Sequence, residues 1–68
     1  MFETTSEAIE SWTNGNRSDV VEYLFTEGAA TTTLFIWEAL HTYKWTIDEV
    51  GLLATRLVTR QVVENEKS

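Results

Sequence analysis

Apolar residues recur along most of this chain at the three- and four-residue spacing of helices, and short polar stretches interrupt them. The pattern predicts four helices, which we place at about residues 4–13, 18–27, 30–43 and 47–63. The polar residues 64–68 are expected to form a frayed tail. The turns between the helices are short, so the sequence predicts a single small helical domain over residues 1–68.

The segment from Ala29 to Trp45 is the most apolar part of the chain. Between Leu34 and Leu40 the only charged residue is Glu38. A helix that is apolar on nearly every side has to be covered by its neighbours. We therefore expect the third helix to be central and the fourth to be the longest. The run TTTLFIW would also suit a strand, but no second alternating segment exists to pair with its backbone, which favours a helix.

Capping residues support these boundaries. Thr4 with Glu7, and Thr46 with Glu49, have the spacing of capping boxes, and Gly28 is placed to end the second helix. The sequence therefore predicts an all-α fold, a compact bundle of about four short helices. The residues expected in its core are Leu24, Phe25, Leu34, Ile36, Trp37, Leu40, Ile47, Val50, Leu53, Leu57 and Val58.

Size and composition limit how such a bundle is stabilised. The chain has 68 residues, no cysteine and one histidine, which excludes disulfides and thiolate zinc sites. A core of this size supplies only roughly 3–5 kcal/mol without help. The last helix is apolar on more than one side, so we expect a homo-oligomer. The absence of a long apolar run and of a basic N-terminal signal favours a cytoplasmic protein without a membrane partner.

The charge is concentrated in the first half. Residues 1–38 carry seven acidic side chains and one arginine, whereas residues 39–68 are balanced, so the whole net charge of −6 lies in the first part. Such a surface repels phosphate backbones and attracts basic proteins. We therefore expect a protein partner with a basic surface and no direct nucleic-acid binding, although the charge also serves solubility.

No pattern of residues is typical of an enzyme. The chain has no cysteine and no glycine-framed serine, and its three glycines are isolated from one another. Glu38 and His41 have the i, i+3 spacing found in di-metal helical bundles, but a hydrogen-bonded polar edge explains this spacing more simply. We expect a non-catalytic protein with no metal and no cofactor.

Two groups of residues are candidates for binding. Residues 12–18, with the sequence WTNGNRS, combine an aromatic ring, two amides and a guanidinium: Trp12, Asn14, Asn16 and Arg17. Turn chemistry also explains the amides, and Arg17 has acids nearby with which it can pair: Glu10, Asp19 and Glu22. In the last helix, Arg56 and Arg60 lie one turn apart and would suit an anion clamp, or would pair with acids of the first half.

The loop also carries a resemblance. Trp12, followed by Gly15-Asn16-Arg17 and by Val20-Val21 in a helix, resembles small acidic helical proteins of bacteriophages. The resemblance covers about the first 25 residues and implies a phage or mobile-element accessory protein, without any chemistry to transfer.

The leading hypothesis is therefore a non-catalytic interaction protein, such as a phage inhibitor, whose acidic first half binds a basic surface of a host protein. The alternative is an oligomer that binds nucleotides or other small molecules between subunits. The candidate binding residues are Trp12, Asn14, Asn16, Arg17, Glu10, Glu22, Arg56 and Arg60.

Overall fold

A computed structural model of the chain describes residues 1–67 and contains four α-helices. They are α1 (Thr5–Thr13), α2 (Arg17–Glu27), α3 (Ala29–His41) and α4 (Ile47–Lys67). The all-α bundle predicted from the sequence is confirmed. No helix among residues 1–67 is long and apolar enough to cross a membrane.

The helices begin where local side-chain chemistry stabilises their first turns. The Thr4 hydroxyl accepts a hydrogen bond from the Glu7 backbone N–H at 3.2 Å, and the Thr46 hydroxyl accepts one from the Glu49 N–H at 3.3 Å. Both predicted N-terminal caps are therefore present. Neither glutamate hydrogen-bonds back to the capping residue: the Glu7 carboxylate accepts from the Glu3 N–H, and the Glu49 carboxylate is used elsewhere.

Gly28 alone separates α2 from α3. Its φ of 96° and ψ of −171° lie in a region that is essentially restricted to glycine. Its N–H donates to the Leu24 carbonyl at 3.0 Å, and its own carbonyl accepts from the Thr32 N–H at 3.1 Å. One residue thus ends α2 and begins α3, which keeps the two helices in contact.

α4 extends four residues beyond the end predicted at Val63. Its last turns contain two i, i+4 pairs, in which Arg60 Nη1 donates to Glu64 Oε2 and Gln61 Nε2 donates to Asn65 Oδ1, both at 3.0 Å. These pairs support a helical conformation where we expected a frayed tail. The last residue of that tail, Ser68, lies outside the described residues.

The central helix is α2, not α3. α2 packs against α1, α3 and α4, whereas α3 packs mainly against α1 and α2. Only one face of α3 is covered, and the side chains of Leu34 and Trp37 are 55% and 58% exposed. The expectation that the third helix is central is therefore wrong, because α4 packs on α2 instead.

The core draws on α1 and α2 more than the sequence analysis proposed. Its buried apolar residues are Ala8, Ile9, Trp12, Val20, Val21, Tyr23, Leu24, Phe35, Ala39 and Leu53. Of the expected core residues, Leu24 and Leu53 are confirmed, and five are half-buried: Phe25, Ile36, Leu40, Val50 and Leu57. The other four expected core residues are exposed, namely Leu34, Trp37, Ile47 and Val58. They lie on the outer sides of α3 and α4, which no other helix covers.

Candidate functional site

Two connections that are distant in the sequence meet at one end of the bundle. The turn after α1 and the segment between α3 and α4 border a groove of about 410 Å³. The groove is lined by Trp12, Thr13, Arg17, Tyr43, Lys44, Trp45, Thr46 and Glu49. It therefore combines part of the candidate loop with residues that the sequence analysis did not connect to it.

Trp12 forms the base of this region and is only 2% exposed. Its indole Nε1 donates to Glu49 Oε2 at 3.1 Å, which links α1 to α4. Its ring lies 5.6 Å from the ring of Trp45 at an angle of 39°. The binding hypothesis assumed that the loop presents Trp12 to a partner. In the structure the Trp12 ring is part of the core, so the loop does not expose it.

Arg17 lies over the Trp12 ring, with Cζ 5.2 Å from the ring centroid. No ion pair joins it to Glu10, Asp19 or Glu22 in the part of the chain that the structure describes. Its Nε is buried and has no hydrogen-bond partner among residues 1–67. The local pairing considered for this residue is replaced by a cation–π contact.

The two asparagines of the loop serve mainly the turn. Asn14 is exposed at the end of α1. The Asn16 amide nitrogen donates to Ser11 Oγ at 3.0 Å and to Asp19 Oδ2 at 3.2 Å. Gly15 between them has a φ of 95°, which favours glycine. Turn chemistry thus accounts for the Asn16 side chain, while that of Asn14 remains open to solvent.

Lys44 has an unusual backbone for a lysine, with a φ of 58°. It lies just after α3, where the Trp45 N–H donates to the Ala39 carbonyl at 3.0 Å. Glycine is the residue that usually occupies a left-handed position after a helix. Lysine adopts this backbone conformation less readily than glycine, so Lys44 lowers the stability of the fold. Its side chain also adds a cation to the groove.

An acidic surface covers the outer side of α1. Glu7 and Glu10 are exposed on α1 and lie three residues apart, which places them on one face. Glu3 is exposed just before the helix, and its backbone N–H donates to the Glu7 carboxylate at 3.4 Å. Burial raises the pKa of the Tyr23 hydroxyl, and the charges of Glu27 and Glu7 raise it further. The carboxylates of Glu27 and Glu7 therefore both affect the Tyr23 hydroxyl. Glu27, at the end of α2, thus adds to the negative potential of α1.

The arginines of α4 have different surroundings. Arg60 forms an ion pair with Glu22, donates to Glu64 at 3.0 Å and lies over the Phe25 ring at 4.4 Å. Arg56 is exposed and borders, with Arg60, a groove of about 310 Å³. An anion clamp would need both guanidiniums, but Arg60 and Glu22 already neutralise each other.

Glu38 and His41 do not contact each other. The Glu38 carboxylate accepts hydrogen bonds from Thr5 Oγ1 at 2.5 Å and from Ser6 Oγ, which lower the pKa of Glu38. His41 Nδ1 lies 2.9 Å from the Trp37 carbonyl oxygen, and its ring stacks on Trp37 at 4.5 Å. Among residues 1–67, no group of three metal-ligating side chains lies close enough together to hold an ion. Glu38, on the polar edge of α3, thus joins α3 to α1 through its hydrogen bonds with Thr5 and Ser6.

Comparison with known proteins adds no relative: no family model, curated protein or solved structure matches this chain.

Proposed function

We propose that this chain is a non-catalytic interaction protein of the cytoplasm that binds a basic surface of another protein through the outer face of α1. The observation that carries the proposal is the exposed row of Glu3, Glu7 and Glu10. No ion pair engages these three carboxylates within residues 1–67. Their charge is therefore available to a partner.

Among the acids of the first half of the chain, those on the outer side of α1 are the most available to a partner. Glu22 is neutralised by Arg60, and Asp19 accepts a hydrogen bond from Asn16. Glu27 is exposed and acts, with Glu7, on the pKa of Tyr23. The face thus consists of α1 together with the end of α2. A row of carboxylates on a helix and just before its start suits a cationic groove, where complementary charge raises the association rate.

The resemblance of the loop to small acidic phage proteins favours a host protein as the partner. A groove that normally holds nucleic acid is the kind of basic surface that such a carboxylate row would occupy. Occupation of that groove would inhibit the host protein.

The first test uses a lysine- and arginine-rich peptide as a defined basic probe. The double variant Glu3→Gln/Glu10→Gln should weaken its binding roughly fivefold at low salt, because two exposed charge contacts of roughly 0.5 kcal/mol each are lost. The affinity of the unmodified chain should fall as salt is raised.

The matched control is Asp48→Asn/Glu66→Gln, which changes the net charge by the same amount at two exposed acids of α4. The control should bind the peptide nearly as well as the unmodified chain. Equal losses in the two double variants would show that only the total charge matters and would reject the α1 face.

We also propose that the protein self-associates through the outer face of α4. Ile47 and Val58 are 77% and 62% exposed, and Val62 lies on the same side. Gly51 has no atom near the position of an added Cβ, so this face is open within the chain. The mass in solution by light scattering should exceed that of the monomer, and Val58→Glu should lower it while Thr59→Glu should not. A monomer at all concentrations would contradict the proposal.

A further inference from the structure

The groove at the end of the bundle contains two cations, Arg17 and Lys44, that form no ion pair with the described residues. Arg17 and Lys44 are two of the five basic residues in a chain with eleven acids. Neither forms an ion pair within residues 1–67, although Arg60 on the other side pairs with two acids. In an acidic chain, two basic side chains that meet in one groove without a counter-ion require an explanation.

Arg17 has hydrogen-bonding capacity that the chain does not use. Its Nε–H is buried without an acceptor, and no hydrogen bond from its guanidinium to residues 1–67 is present. Buried donors are normally satisfied, so this guanidinium is held in place without the acceptors that it usually has. A carboxylate or phosphate that entered the groove would accept from the guanidinium N–H groups that border it, in the planar geometry that guanidinium favours.

Lys44 gives an independent indication. It occupies a left-handed position with a φ of 58°, which glycine adopts more readily than lysine. Its side chain lines the same groove as Arg17. Residues that lower stability without a structural benefit are common at functional sites.

The walls of the groove are aromatic. Tyr43 and Trp45 are half-buried and line it. The Trp45 ring packs against the Trp12 ring and makes an edge contact with the Phe35 ring, each at 5.6 Å between centroids. Among the described residues that line the groove, one is acidic, Glu49. Its carboxylate accepts the indole N–H of Trp12 and forms no ion pair with Arg17 or Lys44. Rigid rings with cations at their border suit a flat apolar ligand that carries a negative charge.

We propose that this groove binds a small planar organic anion, an aromatic or heteroaromatic ring bearing a carboxylate or a phosphate. The ring packs against Tyr43 and Trp45, and the anionic group lies between Arg17 and Lys44. The volume of about 410 Å³ is within the range of small-molecule sites. The site lies within one chain and is separate from the acidic face of α1.

The test is a titration of the ¹⁵N-labelled chain followed by NMR. The probes are adenosine 5′-monophosphate and indole-3-acetate, which carry a phosphate and a carboxylate on a flat ring. Adenosine and inorganic phosphate are the comparison probes, which have only the ring or only the charge. At least one of the two ring anions should saturably shift the Arg17 Nε–H and the indole N–H signals of Trp12 and Trp45. The Trp37 indole on the outer side of α3 should not move.

Binding by adenosine 5′-monophosphate alone would identify phosphate as the anionic group, and binding by indole-3-acetate alone would identify carboxylate. The two comparison probes should bind at least about tenfold more weakly, because each lacks one half of the interaction. If neither ring anion shifts these signals saturably, or if inorganic phosphate binds as tightly as they do, the proposal is overturned.

Variants separate the groove from general charge effects. Arg17→Gln should weaken binding about tenfold, whereas Arg56→Gln, which removes an exposed arginine outside this groove, should leave it unchanged. Lys44→Gly should weaken binding while it raises the melting temperature, since glycine relieves the left-handed backbone. This variant keeps the test valid if Arg17→Gln unfolds. Unchanged affinity in Lys44→Gly, or equal losses in Arg17→Gln and Arg56→Gln, would contradict the site.

Discussion

Glu38 shows how a single residue joins two helices. It is a half-buried acid on the most apolar helix, and its carboxylate accepts hydrogen bonds from Thr5 and Ser6 at the start of α1. The hydrogen bonds hold the pKa of Glu38 below its usual value of 4.5, because they stabilise the charged form. The residue that we considered as a metal ligand thus stabilises the contact between α1 and α3.

This environment predicts a pH-dependent contribution to stability. A carboxylate whose pKa is lowered by folding stabilises the protein fully above its unfolded pKa, and loses this effect as the pH falls through the folded value. Glu38→Gln should therefore lower the free energy of unfolding by about 1 kcal/mol at neutral pH. The difference from the unmodified chain should shrink as the pH falls below 4.5.

Urea unfolding at a series of pH values would measure this difference. Glu10→Gln is the control, since Glu10 is exposed and its carboxylate has no hydrogen-bond partner in the part of the chain that the structure describes. A loss in Glu38→Gln that stays constant down to pH values well below 4.5 would show that the charged form of Glu38 is not what the hydrogen bonds stabilise.

At the level of the helices, Gly28 and Gly51 have different roles. Gly28 has a backbone conformation that other residues rarely adopt, whereas Gly51 lies within α4 with no atom near an added Cβ. Gly28→Ala should therefore destabilise the protein by about 1–3 kcal/mol. Gly51→Ala should stabilise it by about 1 kcal/mol, because alanine favours the helix.

Thermal unfolding of the two variants provides its own control, because each adds the same methyl group. Opposite changes in melting temperature are expected. If Gly51→Ala destabilises the chain, Gly51 contacts another molecule closely, as a helix crossing between copies would require. If Gly28→Ala is neutral, the single-residue connection between α2 and α3 is less restrictive than its φ implies.

The helices and their starts could be predicted from the sequence because they depend on residues close together in the chain. Thr4 and Thr46 cap the helices that follow them, as their spacing indicated. The packing could not be predicted in the same way. α3 is apolar on most sides, so its pattern does not say which face is buried, and Trp37 turned out to be exposed.

The candidate site was predictable only in part for the same reason. Arg17 stood out because it is the only cation in the first half of the chain. Lys44 and Trp45 did not, because they reach Arg17 only after the segment between α3 and α4 folds against the first turn. The sequence Tyr43-Lys44-Trp45, a lysine between two aromatic residues, could have suggested a binding groove. It does not indicate that Arg17 lines the other side of that groove.

For the whole molecule, the structure divides the surface into regions of different character. The outer side of α1 is acidic, and the end of the bundle carries two cations that form no ion pair within residues 1–67. The outer side of α4 is apolar and uncharged from Gly51 to Val58 apart from the flanking Arg56. The net charge of −6 is therefore not spread evenly. The three regions share no residues, so the three proposals can be tested independently.

The proposed function depends most on the acidic face of α1, and an NMR map of the bound basic peptide tests that face most directly. The amide signals of Glu3, Glu7, Glu10 and Glu27 should shift together, and the shifts should diminish as salt is added. The signals of Asp48 and Glu66 on α4 should hardly move. Shifts distributed evenly over all exposed acids, or centred on α4, would contradict the proposal that α1 is the binding surface.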